Sequence, residues 1–347
     1  MKKNNLAAVL IKQKKKLSIL NLNFPDLKTG HLLIKIKYAG ICHTQLNEIS
    51  GILGKDKYLP HCLGHEGVGE IIKIGSSNSK FKKGDNVVVS WIKNKNSIKT
   101  EPIFFYDKNK KINSGGCNTL LEYTVVSEDR AFKLNKKNKF LRESVLLGCA
   151  LPTAANAILN VAKIDKNSRV LIMGMGGLGY SSLIVLKYLK IKNVLCIDNN
   201  LKRLSIFKNK NNVKFQCLDK DNIGNFVKNN HESFDLILDC TGSKNLIEKT
   251  YSLCKKFSGK FIIIGNTKIN EKISLKTWDV IFGKTLTGAW GSGGIFMNNF
   301  KLNEKILVSQ IKNIRKILPK KNFKINNINK AIDDFSSGKI LRPIIKF

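Results

Sequence analysis

Acidic residues are few beside the basic ones in this sequence, and arginine is scarce among the latter. Of its 347 residues, 61 are Lys or Arg and 25 are Asp or Glu, and only six of the basic ones are Arg (130, 142, 169, 203, 315 and 342). The formal charge of +36 invites a nucleic-acid or acidic-membrane partner, because basic side chains release counterions from phosphates. The scarcity of arginine argues against that. Nucleic-acid readers use arginine for bidentate contacts and gather their basic residues in a stripe. Here lysine is spread along the whole chain in company with asparagine, so compositional drift is the better account and no nucleic acid is expected as a partner. A run of about 18 apolar residues is also missing, so no membrane-spanning helix is expected. The eight cysteines (42, 62, 117, 149, 196, 217, 240 and 254) have no disulfide-framework spacing and read as reduced thiols of a cytoplasmic protein. The N-terminal apolar run, Leu6 to Ile11, falls short of the roughly 7–15 residues of a signal-peptide core. It reads as an opening strand.

What is present points to an ordinary globular protein. The hydrophobic share is 42%, and this length accommodates two domains, each with its own core. Residues 1 to about 130 carry short β signals separated by Gly, Pro and Asn: LAAVLI, HLLIKIKYAG, GVGEIIKIG, DNVVVSW and LLEYTVV. From about 142 a helical stretch interrupted by Pro152 leads into alternating strand and helix. Five near-continuous apolar strands end at KFIIIG, with TLTGAW as a sixth. That alternation predicts a doubly wound parallel sheet. After about 291 a Gly-rich junction, a helix and the closing strand LRPIIKF read as packing back on the first lobe, being too short for a core of their own. The Lys/Asn tract 93–112 is the one low-complexity stretch.

The segment Tyr38 to Gly69 concentrates chemistry: a thiol (Cys42), a hydroxyl (Thr44), an imidazole (His65) and a carboxylate (Glu66). Sulfur with imidazole is the donor set zinc prefers, and a catalytic zinc takes three protein ligands with a fourth position open. Cys42 and His65 supply two, and Cys149 in LLGCALPT is the best candidate for the third. A buried cysteine is usually a small hydrophobe, and Cys196, Cys217, Cys240 and Cys254 are read that way. Cys62 and His61 are read as structural, and His31 and His231 as surface residues.

In SRVLIMGMGGLGYSS, Gly174, Gly176 and Gly179 form G-x-G-x-x-G after a strand and at the start of a helix. The first glycine makes the turn, the second admits a pyrophosphate, and the third lets helix and strand pack closely. Asp198 ends the next strand, 24 residues beyond Gly174. A carboxylate there accepts hydrogen bonds from a ribose and repels a 2′-phosphate, which predicts NAD, with Lys202 and Arg203 close enough to soften the preference.

CHT (42–44), GHEGVG (64–69), KKGDNVVV (82–89), GCALPT (148–153), GMGGLG (174–179), the Asp198 region and GKILRPIIKF (338–347) together resemble the zinc-dependent alcohol dehydrogenases of the medium-chain dehydrogenase/reductase family, in family order over nearly the whole chain. The resemblance implies an α/β protein. Residues 1–150 and 291–347 would form an irregular, β-rich GroES-like catalytic domain, and 151–290 an NAD-binding Rossmann domain. It implies one catalytic zinc per subunit on Cys42, His65 and Cys149, with Glu66 close behind. Thr44 would hold the substrate oxygen and pass on its proton, and Trp91 would narrow the substrate pocket. His43, Thr153, Gly174, Gly176, Gly177, Gly179, Asp198, Arg203 and Arg342 would contact the cofactor, His43 and Arg342 at its phosphates. The implied reaction moves a hydride between an alcohol or aldehyde and NAD(H), in a homodimer or homotetramer joined along the TLTGAW edge.

Three departures from the family pattern qualify this. No cysteine lies in 92–116, so the family's separate structural zinc is expected to be missing and this loop to be held by other means. Gln45 stands where many relatives have an Asp that orients the zinc histidine, so a less basic His65 is expected. Asn47 replaces a relay histidine. Two rivals remain: a zinc-free, NADPH-using quinone reductase of the same superfamily, against which Cys42, His65, Cys149 and Asp198 speak, and a nucleotide- or nucleic-acid-binding protein that has lost catalysis.

Overall fold

The computed structural model describes residues 5–75, 79–93, 102–207, 212–291 and 296–347. The junction read at 291–300 and the Lys/Asn tract fall partly outside these residues. The chain forms two compact units, Met1–Cys149 with Gly294–Phe347, and Ala150–Gly293.

The first unit is built on two sheets. In one, strands Ala131–Lys133, Asn86–Ser90, Glu66–Ile74, His31–Gly40 and Ile344–Lys346 lie side by side, and Tyr123–Ser127 adds to His31–Gly40. Every pairing is antiparallel. Period-two alternation sends Leu32, Ile34 and Ile36 inward, where they meet Val87, Val89 and Ile345 in one apolar cluster. The closing strand pairs Ile345 with Ala39, so the C-terminus completes this sheet. His31, read as a surface residue, is instead 5% exposed. It opens the ten-residue strand, on the face opposite Leu32, and accepts the Lys28 N–H at Nδ1, a burial that a lone histidine in sequence does not reveal.

The second sheet of this unit explains how the cysteine-poor segment is held. Strands Ile103–Asp107 and Lys110–Gly115 form a hairpin whose second strand joins His61–Cys62, Leu6–Leu10 and Ser18–Asn21. Phe105 and Ile112 are fully buried against Val9, Leu22 and Cys62, with the Phe24 ring 6.4 Å from Phe105. Apolar burial anchors the hairpin. Phe105→Ala is therefore expected to destabilise the protein by about 3–5 kcal/mol, read as a lower denaturant midpoint with unchanged slope.

The second unit is a six-stranded parallel sheet in the order Val213–Cys217, Asn193–Asp198, Arg169–Met173, Leu236–Asp239, Lys260–Ile263 and Thr285–Gly288. The central strands are covered on both faces, which is why RVLIM and LILD are apolar almost throughout. TLTG is the sixth strand, at the sheet edge. Pro152 does not interrupt its helix. It lies in the first turn of Ala150–Ala155, where no helical N–H is needed, and the chain continues as wider turns through Asn156–Ala162.

Candidate functional site

Each metal-ligating candidate is fixed by a different local device. Cys42 is the residue before helix His43–Ser50, in extended conformation, and its N–H donates to Gln45 Oε1 at 2.9 Å, a reciprocal cap of the helix start. Gly51, in the left-handed region at φ 76°, ends the helix. His65 directly precedes strand Glu66–Ile74, and its carbonyl accepts the Trp91 N–H at 3.1 Å. Cys149 follows the tight turn Glu143–Gly148, and the Ser90 hydroxyl donates to the Gly148 carbonyl at 2.6 Å. That bond ties the third residue to the strand pair carrying the second.

Together these devices bring the ligand atoms of Cys42, His65 and Cys149 within 4.8 Å of one another, and all three residues are partly buried. His65 Nδ1 is engaged by Gln45 Nε2 at 2.9 Å. Its Nε2 is buried and meets no nitrogen or oxygen partner. Two sulfurs and a free imidazole nitrogen around one point suit a tetrahedral zinc with one position left over. The electrostatics agree. The Cys149 thiol donating to Cys42 holds the Cys42 thiol well below its usual range, helped by Arg342 and His65 against the cost of burial. Cys149 is pushed well up, first by that same hydrogen bond and then by burial. Without a cation two adjacent thiolates repel and one proton stays between them, and a divalent metal would take that proton's place. His65 is carried upward by the Cys42 thiolate despite burial.

Behind the sulfurs lies a buried ion pair. Glu66 is 0% and Arg342 is 3% exposed, and the guanidinium donates to Glu66 Oε2. Burial raises the Glu66 pKa even against the pull of Arg342. Two glycines make the room: a Cβ on Gly40 would overlap the Glu66 carboxylate, and one on Gly148 would meet the Glu66 backbone and Cβ. Neither glycine stood out in sequence, although a glycine ending an apolar strand is the sign of a close approach. Ser90 and Glu48 were missed as well, and nothing local marks them. Thr44 Oγ1 is 3.8 Å from Cys42 Sγ, and Trp91 stands edge-on to the His65 ring at 6.3 Å. His43 is exposed with its ring 5.7 Å from Phe335. His61 pairs with Asp56 at 2.7 Å and Cys62 is buried, its thiol pushed up to about 12 by desolvation.

In the second unit Gly174 adopts φ 88°, and a Cβ there would strike Thr241. Gly179 packs on the Gly174 carbonyl at the first turn of helix Gly177–Tyr188, while the space beside Gly176 is open. Asp198 accepts the Met175 N–H at 2.7 Å and the Asn200 N–H at 2.9 Å, with Arg203 3.7 Å away. The carboxylate is thereby pinned to the glycine turn. Thr153 is 8% exposed in helix Ala150–Ala155.

Comparison with known proteins agrees with this geometry. Residues 28–136 match the alcohol dehydrogenase GroES-like domain. An alcohol dehydrogenase class-3 of Drosophila melanogaster is 27% identical over 382 residues, covering 98% of this chain and 97% of that one. An S-(hydroxymethyl)glutathione dehydrogenase of Escherichia coli is 24% identical, with 98% and 99% covered. Among solved structures, an alcohol dehydrogenase zinc-binding domain protein of Burkholderia ambifaria superposes with a TM-score of 0.87 at 18% identity, over 99% of both chains. Benzyl alcohol dehydrogenase of Acinetobacter calcoaceticus gives 0.84 at 23%, again over 99% of both.

Proposed function

We propose that this chain is a zinc-dependent alcohol dehydrogenase of the medium-chain dehydrogenase/reductase family, that it holds one zinc on Cys42, His65 and Cys149, and that it uses NAD to interconvert a small alcohol and its aldehyde or ketone. The observation that carries this is the convergence of two thiols and a buried imidazole that has no nitrogen or oxygen partner at Nε2, their ligand atoms within 4.8 Å of one another. A zinc ion in that set would act as a Lewis acid on the substrate oxygen and ease loss of its proton.

The chain's own residues would do the rest. Thr44, beside Cys42 Sγ, orients the substrate hydroxyl and receives its proton, and Trp91, against His65, limits substrate width. Glu66 keeps a buried negative charge behind the sulfurs, balanced by Arg342. Thr153, Gly174, Gly176, Gly177, Gly179, Asp198 and Arg203 hold the dinucleotide, with His43 and Arg342 toward its phosphates. The pinned Asp198 carboxylate supports NAD over NADP by repelling a 2′-phosphate.

The test is NADH absorbance with a panel of alcohols and aldehydes, including S-(hydroxymethyl)glutathione, before and after chelation. One zinc per chain, turnover lost on chelation and restored by zinc, and NAD favoured over NADP are expected. Zinc-loaded protein inert toward the whole panel would overturn the reading.

A homodimer is part of the proposal. Thr285–Gly288 is an unpaired sheet edge among the described residues, and Trp278, Ile281 and Trp290 beside it are 64%, 66% and 73% exposed. Such apolar exposure on an edge marks an association surface. Sedimentation is expected to give at least twice the chain mass. A cytoplasmic setting fits the eight free thiols. No helix among the described residues is long and apolar enough to cross a membrane.

A further inference from the structure

A histidine that binds a metal through Nε2 keeps its proton on Nδ1 and donates it to an outer acceptor, most often a carboxylate. In this chain the atom facing Nδ1 is Gln45 Nε2, at 2.9 Å, and an amide nitrogen cannot accept. The amide's oxygen is held by the Cys42 N–H at 2.9 Å. Turning the amide over would set two donors against each other there. A carboxylate stands beside the same amide nitrogen: Gln45 Nε2 donates to Glu48 Oε2 at 3.4 Å. Gln45 and Glu48, three residues apart, share one face of helix His43–Ser50, and Cys42 caps its start. The nearby His61 already has Asp56 at 2.7 Å, and Glu48 has no ion pair of its own among the described residues.

We propose that Glu48 is the positioning residue for His65: with zinc held, its carboxylate accepts the Nδ1 proton while the Gln45 amide donates to the same carboxylate. This rests on the zinc reading above. It places the outer negative charge one helical turn beyond residue 45, so that Gln45 is free to cap the helix and steady the carboxylate. Glu48 touches neither substrate nor cofactor in this role.

The test uses the full chain and two readouts independent of turnover: zinc affinity by competition with a chromophoric chelator, and the visible spectrum of the cobalt-substituted protein. Glu48→Gln is expected to weaken zinc binding about 10–100-fold and to shift the cobalt bands. Gln45→Asp placed in the Glu48→Gln background is expected to recover most of the loss, because it returns a carboxylate to Nδ1. Unchanged affinity and spectrum in Glu48→Gln would overturn the proposal, as would a loss that Gln45→Asp fails to rescue. Should the variants not fold, zinc-loaded wild type labelled with nitrogen-15 histidine decides. A downfield, exchange-protected His65 Nδ1 proton is expected, and a solvent-exchanging one overturns the assignment. Wild type that takes up no zinc sinks the zinc reading itself, whereas zinc-loaded wild type with an indifferent Glu48 sinks this inference alone.

Discussion

Cys149→Ala is expected to strip the protein of zinc and lower kcat/KM by about a thousandfold or more. The loss of a Lewis acid is worth several kcal/mol at the developing charge, and each 1.36 kcal/mol is about tenfold in rate. Removing one sulfur also removes half of the negative charge that holds the cation, since the set offers two thiols and one neutral ring. Cys42, left without the thiol that donates to it, should lose the largest of the influences that hold its pKa down. The fold should survive, because Cys149 is only partly buried and its position is set through Gly148 and Ser90. Metal analysis with the NADH assay checks this. A Cys149→Ala protein that keeps its zinc and its turnover would show that the ligand set is wrong.

Glu66→Ala is expected to cost about 3–5 kcal/mol of stability, because it strips the buried guanidinium of the carboxylate it is hydrogen-bonded to. Arg342→Leu should cost less, and the asymmetry is chemical. Arginine cannot shed its proton, whereas Glu66 can take one up, and burial already biases it that way. The folded-state pKa of Glu66 would stand above its unfolded value in Arg342→Leu. Stability is then retained below the ordinary carboxylate range and lost as pH rises through the raised folded pKa. In Glu66→Ala the Arg342 charge is present at every accessible pH, so its penalty should persist in acid. Denaturant unfolding of both variants at about pH 5 and pH 8 separates them. Equal costs at both pH values would mean that the pair is solvated.

The glycine turn and the acidic residue after the next strand were legible in sequence because they are local. Gly174 must adopt φ 88° and Gly179 must pack on its neighbour's carbonyl, and both demands are met within a few residues of chain. Parallel strands buried on both faces likewise announce themselves as apolar runs such as RVLIM and LILD. His31 went the other way, since a polar side chain at a strand end gives no sign of which face it takes. Gly40 and Gly148 were silent for a related reason: what they make room for, the Glu66 carboxylate, arrives from a different part of the chain.

Residue types and their spacing determined the fold class, the donor chemistry and the dinucleotide turn, because helix and strand periods and backbone sterics act over a few residues. Tertiary structure alone decided that Arg342 answers Glu66 across 276 positions, and that Phe105 anchors the hairpin in the stretch without cysteines. Such contacts depend on burial and charge between segments distant in sequence, and no local pattern encodes which arginine or aromatic ring will complete them.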